Sequence, residues 1–139
     1  MSEEIFGAIR ESSLLSALTD RQIHQLASIA TVRQFSDGEK LISQGTQGAL
    51  AMWVILDGEV VVSVDGKELA KMGRGSHLGE MAVLSNTDQP RSADVVASGT
   101  VRAVRVAKWD LLTFIKNNED VAMAIIAELA RRLEDADRR

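Results

Sequence analysis

Hydrophobic residues fall at helical spacing at the two ends of the chain and alternate with polar ones in between, which predicts helices flanking a run of short strands. Ile5, Phe6 and Ile9 share one face of a short helix over Glu3 to Ile9, weakened by Gly7. Thr19 is placed to cap a second helix that starts at Asp20 and carries the stripe Ile23, Leu26, Ala27, Ile29 and Ala30. From Thr31 the period shortens to two. Thr31 to Phe35 and Lys40 to Gln44 read as strands about the turn Ser36-Asp37-Gly38. Met52 to Leu56, Glu59 to Val64 and Lys67 to Met72 follow, separated by Asp57-Gly58 and Asp65-Gly66, two pairs suited to tight hairpins because glycine accepts positive φ. Ala93 to Ala97 and Val101 to Val106 are joined through Ser98-Gly99-Thr100. Strands so short and evenly punctuated predict an antiparallel barrel or sandwich. Helical spacing returns over Trp109 to Lys116, breaks at Asn117-Asn118 and resumes from Glu119. There Ala122, Ile126, Leu129, Leu133 and Ala136 step by four and three, the spacing of a helix-pairing seam, while Val121 and Ile125 widen the stripe toward packing on the chain's own barrel.

Composition narrows what such a chain does. Its 139 residues and 45% hydrophobic content predict one domain, 1–139, with an adequate core. Sixteen Lys and Arg against twenty Asp and Glu give a formal charge of −4, which argues against direct nucleic-acid binding and against affinity for anionic membranes. With no cysteine, disulfides and thiolate chemistry are excluded. The start MSEEIFGAIRESS places acidic residues where a signal peptide needs basic ones, so a cytoplasmic location is expected. His24 and His77 are the only histidines, too few for the histidine-clustered metal sites of jelly-roll enzymes. No Walker loop and no nucleophile elbow occurs, so no enzyme is expected.

Chemistry concentrates between Gly75 and Ala97. Gly79 lets a ligand approach the backbone closely, and Glu80-Met81-Ala82-Val83-Leu84 is long enough for one or two helical turns with free N–H groups, a setting that favours phosphate. Glu80 cannot bind phosphate; a carboxylate only accepts, so its natural partner is a hydroxyl such as a ribose 2′-OH, or a cation. Pro90 pushes Gln89 toward an extended conformation, so Arg91 enters a strand. The planar guanidinium of Arg91 suits bidentate phosphate binding, and Ser92 adds a small donor. Singly, each of these residues is an ordinary turn or strand entry; together they match a phosphate joined to a sugar hydroxyl.

The segment resembles the phosphate-binding cassette of the cyclic nucleotide-binding domain family, which reads roughly F-G-E-x-A and then R-[SAT]-A. Leu78-Gly79-Glu80-Met81-Ala82 and Arg91-Ser92-Ala93 fill those places, with Leu78 where an aromatic or another apolar residue is usual. The family's front half, F-x-x-G-x-x-I-x-x-Q-G followed by an apolar strand and x-G-x-V, is matched at Phe35, Gly38, Gln44, Gly45, Gly58 and Val60, with Leu41 apolar as required. Ala49 replaces a frequently acidic residue, and Trp53 stands where tyrosine or phenylalanine is common.

This resemblance covers nearly the whole chain. It implies an eight-stranded antiparallel jelly-roll barrel over 31–107 with its cassette at 78–93, N-terminal helices over 1–30, and C-terminal hinge and lid helices over 108–139. It implies that Glu80 accepts the ribose 2′-OH, that Arg91 pairs with the cyclic phosphate, and that Gly79, Ala82, Ser92 and Ala93 supply donors, with Met81 among the ligand-binding residues. The base is expected against Val62 and Leu69, with Met72 beside them. Alignment of Ala130-Arg131-Arg132-Leu133 with the lid places Arg132 near the nucleotide and Asp137 close to the adenine edge, where a solvated helix end is the alternative. The ligand implied is cyclic AMP, with cyclic GMP possible, because cyclic GMP preference often accompanies a threonine where this chain has Ser92. The function expected is a sensor that passes ligand occupancy through its C-terminal helices to a protein partner, with a homodimer through 119–139 as an option. Two alternatives stay open: an interaction module of the same fold that takes no ligand, and the effector half of a transcription regulator, since the chain stops at Arg139 with no room for a helix-turn-helix.

Overall fold

The computed structural model describes residues 2–45, 50–84 and 93–137. In chain order these form α1 (Ser2–Glu11), α2 (Asp20–Ile29), β1 (Thr31–Phe35), β2 (Lys40–Ile42), β3 (Ala51–Val64), β4 (Lys67–Met72), β5 (His77–Leu78), α3 (Glu80–Leu84), β6 (Asp94–Ala107), α4 (Lys108–Lys116) and α5 (Glu119–Asp137). The strands make one antiparallel sheet in the order β1-β6-β3-β4, with β2 also on β6 and β5 on β3.

The run Ala51-Met52-Trp53-Val54-Ile55-Leu56 is apolar at every position because both faces of β3 are covered. Met52, Val54 and Leu56 point into a core shared with Ile5, Ile9 and Leu15 near the N-terminus, Ile23 and Leu26 of α2, Leu111 and Phe114 of α4, and Val121 and Ile125 of α5. Ala51, Trp53 and Ile55 point the other way, into a core inside the curled sheet with Phe35, Val60, Leu78, Val95, Ala97, Val101 and Ala103. A period of two with two buried faces gives a continuous apolar run in place of alternation.

The expected eight strands do not hold among the described residues, where six are seen. Residues 52–56 and 59–64 belong to one strand of 14 residues, and 94–97 and 101–106 to another. The physical reason lies in how they pair. β3 and β6 run together from Ala51↔Ala107 to Ser63↔Asp94, and the register shifts twice between Ile55 and Glu59. The expected hairpin at Asp57-Gly58 is thus a bend within a strand, opposite a matching bend at Ser98-Gly99-Thr100. Gly58 has φ 93°, and a Cβ there would lie 2.4 Å from the Thr100 carbonyl oxygen. The Ser36-Asp37-Gly38 turn seals the bend: Gly99 N donates to Asp37 Oδ1 at 2.7 Å and Gly38 N to the Ala97 carbonyl at 2.8 Å. Asp65-Gly66, by contrast, is a true β3–β4 hairpin, with positive φ at both residues (53° and 80°), as the type I′ turn requires.

The helices match the sequence expectation closely. Thr19 forms a capping box, its Oγ1 accepting from Gln22 N at 3.2 Å while Thr19 N donates to Gln22 Oε1 at 2.9 Å. The other end of the Gln22 amide donates to Asp120 Oδ2 at 2.8 Å, tying the start of α2 to the start of α5. α1 is fastened to the sheet by Arg102, which reaches Glu4 at 2.7 Å and Asp57 at 2.8 Å, and by Arg74, which reaches Glu11 at 3.0 Å and the Leu56 carbonyl at 3.0 Å. The α5 stripe divides. Val121 and Ile125 enter the core and Leu129 packs against it, whereas Met123, Ile126 and Leu133 are exposed. Among the described residues, no helix is long and apolar enough to cross a membrane.

The bend at Gly58 yields a prediction. Gly58→Ala forces a side chain into a left-handed conformation and against the Thr100 carbonyl, and should cost on the order of 2–4 kcal/mol. Gly66→Ala meets open space and should cost only about 1–2 kcal/mol. Urea unfolding of both variants measures the difference, and equal losses would contradict the tight crossing.

Candidate functional site

β5 pairs with β3 through Val54↔His77 and Trp53↔Leu78, so Leu78 enters the sheet core while His77 faces the other way. Gly79, at φ 83°, turns the chain out of β5 and directly into α3. Val83 pins α3 in the helical core, leaving Glu80, at the first position of α3, beside a cavity of about 480 Å³. Glu11 and Ser13 border it from the N-terminal segment, Met72 from β4, Arg74 to His77 from the β4–β5 connection and β5, and Arg132 from α5.

Two side chains, His77 and Arg132, reach Glu80, and Ser13 joins them from the N-terminal segment. His77 Nδ1 lies 3.3 Å from Glu80 Oε2, within ion-pair distance for a protonated ring but out of line for a hydrogen bond. Arg132 Nη1 lies 3.6 Å from Glu80 Oε1. Arg132 Nη2 donates to Ser13 Oγ at 3.0 Å and lies 2.5 Å from His77 Nε2. Arg132 Nε is also held by Glu128 on the same helix, at 3.3 Å. The side chains of Glu80 and His77 are only 13% and 8% exposed, so these contacts are poorly screened by water. Burial, the strongest influence on the Glu80 carboxyl, pushes it up. Contact with His77, its own backbone N–H and the Arg132 charge outweigh burial and hold the carboxyl below the usual carboxylate range.

The structure therefore brings Glu80, Gly79 and Arg132 of the expected site together, with Met72 on the same cavity wall. Met81 and Ala82 lie in α3 beside Glu80, and Ala93 directly precedes β6. Val62 is half-buried against the sheet core, while Leu69 on β4 is 60% exposed; neither lines this cavity. Asp137 is exposed at the end of α5. Arg91 and Ser92 lie outside the described residues.

His77 and Ser13 were not singled out by the sequence as parts of the site. The spacing of His77 three residues before Glu80 was the available signal, but Ser13 lies 64 residues before His77 and Arg132 lies 55 after it, so only folding shows their meeting. A larger hollow of about 680 Å³ lies between α2 and α4. Its polar side chains Gln22 and Asn118 are already engaged, with Asp120 and with the Phe114 carbonyl, and it lacks the convergent charges found around Glu80. Among the described residues, no three metal-ligating side chains cluster.

Residues 32–118 match the sequence profile of the cyclic nucleotide-binding domain. The chain is 32% identical to the type II regulatory subunit of the cAMP-dependent protein kinase of Drosophila melanogaster over 118 residues, 82% of this chain and 29% of that protein. It is also 32% identical over 128 residues to glutaminase 1 of Bradyrhizobium diazoefficiens, 91% of this chain and 20% of that protein. Among solved structures, the catabolite activator protein of Thermus thermophilus is similar with a TM-score of 0.78 and 30% identity, covering 91% of this chain and 60% of that one. The chain thus spans less than a third of the length of these two curated relatives.

The Glu80 contacts predict a pH dependence. A carboxyl whose folded value is depressed adds stability that is present above its unfolded value and lost as pH falls through the folded one. Glu80→Gln should therefore lower stability at neutral pH and close part of that gap at strongly acid pH. Urea unfolding of both chains across the acid range tests this, and a gap that widens with acid would reverse the sign.

Proposed function

We propose that this chain, which belongs to the cyclic nucleotide-binding domain family, is a cyclic AMP sensor whose occupancy moves its C-terminal helices and so reports to a partner. The observation that carries this reading is that Glu80, at the family's ribose-hydroxyl position, and Arg132, on the last helix, border one cavity and contact each other. In this reading the 2′-OH donates to Glu80, Arg91 pairs with the cyclic phosphate, and Gly79, Ala82, Ser92 and Ala93 add donors around it. Val62, Leu69 and Met72 give the base a stacking surface on the β3–β4 hairpin. Leu69 supports this, since an exposed leucine on a sheet is surface that a ligand or a closing helix would cover. Ser92 in place of threonine favours cyclic AMP over cyclic GMP.

Domains of this family are generally regulatory and not catalytic, and we assign this chain no reaction. A ligand moves α5 only by the difference in its affinity for the two positions of that helix. Sharing of Glu80 between Arg132 and a ribose hydroxyl supplies such a difference. The partner is a protein, either joined in one chain, as the short span of the curated relatives suggests, or a second copy docked on Met123, Ile126 and Leu133 of α5. The second reading is an interaction module that takes no nucleotide. Equilibrium titration separates the two, for absence of binding at millimolar cyclic AMP sinks the sensor.

Arg91→Ala should weaken cyclic AMP binding by about 2–5 kcal/mol, the range for truncating one partner of a buried charged pair. Glu80→Ala should cost less, and lysine at 91 should rescue only in part, because it lacks the planar fork. Calorimetry on these variants is the measurement, with near-parental affinity in Arg91→Ala as the refuting result. In competition, cyclic GMP should bind more weakly than cyclic AMP. Truncation after Asn118 should leave a folded barrel that binds more weakly and forms no dimer. Titration with light scattering reads both, and unchanged affinity in the folded truncation would exclude the lid.

A further inference from the structure

Among the described residues that line the cavity, His77 is the one imidazole, the side-chain class that gains or loses a proton closest to neutral pH. Its ring is wedged between a carboxylate and a guanidinium from another element. Arginine has donors only, so where Arg132 Nη2 meets Nε2 the ring must accept, and its one proton sits on Nδ1, facing Glu80 Oε2 at 3.3 Å. The neutral ring thus accepts from Arg132 and turns its N–H toward the Glu80 charge, out of line for a hydrogen bond. Protonation places an N–H on Nε2, directly against the guanidinium, and removes the acceptor. The charged ring also takes a larger share of the Glu80 charge that draws Arg132 at 3.6 Å. Both changes push Arg132 out.

Among the described residues, the surrounding charges do not compensate. Glu128 holds Arg132 but belongs to α5 and travels with it, shared with Arg131. Glu11 of α1 is paired with Arg74 of the β4–β5 connection at 3.0 Å. Among the described contacts, what then remains between the outer half of α5 and the cavity wall is the Ser13 hydroxyl. We propose that His77 is a pH-responsive pin: neutral, it holds Glu80 toward the cavity and α5 over it, and charged, it lets Arg132 go. Glu80, held below the usual carboxylate range, keeps its charge in mildly acid solution, so the response belongs to the imidazole. Only the consequence for signalling rests on the nucleotide reading. The pin itself works without a nucleotide, so its test and that of nucleotide binding fail separately.

The chain has no cysteine, so Glu68→Cys on β4 and Glu134→Cys on α5, both exposed, accept spin labels at defined places. The distance between them is read by pulsed electron paramagnetic resonance with no nucleotide added, at about pH 8 and about pH 5, the range over which imidazoles change charge. One distance is expected at the higher pH, and at the lower a second population displaced by about 5 Å or more, the length of a helical turn. His77→Gln keeps a donor and an acceptor but cannot be charged, and should hold the high-pH distance at both. An unchanged distance in the parent chain overturns the proposal, as does the same shift in His77→Gln. Should circular dichroism show that variant unfolded, Arg132→Gln, at a partly exposed position, decides in its place. Loss of the pH response there supports the pin, and its persistence overturns it.

Discussion

The long antiparallel pairing of β3 with β6 is the constraint on which the rest of this molecule depends. Because residues 51–56 of β3 are buried on both faces, their even and odd positions belong to different cores, and no slip of a single residue is possible without exchanging them. That register fixes where the helices can sit, since Met52, Val54 and Leu56 are the floor on which α1, α2, α4 and α5 pack. It also fixes the cavity. β5 is only two residues long and owes its place to Trp53 and Val54, so His77, Gly79 and Glu80 inherit their position from the central strand.

Helix ends and true hairpins were legible in the sequence because their causes are local. Thr19 with Gln22 at the start of α2, Asn117-Asn118 between α4 and α5, and Asp65-Gly66 between β3 and β4 each act within four residues. Asp57-Gly58 carried the same local signature as Asp65-Gly66 and came out differently. Its partner is not the adjacent chain but Thr100 and Arg102, more than forty residues on, and their pairing keeps the strand running through the bend. Glycine at 58 reports a close approach; glycine at 66 reports a turn. Nothing in the dipeptide tells them apart.

The cavity divides along the same line. Gly79 and Glu80 were readable from residue type and spacing, and Arg132 from resemblance. His77 is a single histidine with no sequence neighbour of its own chemistry, and Ser13 is an ordinary turn residue. Their significance depends on α1 being clamped beside β5 by Arg74 and Arg102, two ion-paired arginines on the sheet side of the interface. Charges that would be unremarkable on a surface acquire weight here because Glu80 and His77 are almost wholly shielded.

The two hydrogen-bonding ends of Gln22 have a mechanical consequence. One end closes the α2 cap and the other grips Asp120, while Val121 and Ile125 anchor the next turn in the core, so the first part of α5 has a fixed seat. Among the described contacts, the far part, beyond Leu129, is held mainly through Arg132. α5 is therefore a lever with its fulcrum near Asp120, and Arg132 sits twelve residues out, an arm of about 18 Å at the helical rise. A tilt of about 15° about that fulcrum would sweep the guanidinium through about 5 Å, enough to clear its described contacts at the cavity, while residues near the fulcrum would move far less. Gln22 thereby fixes the end of α5 about which its outer part would turn.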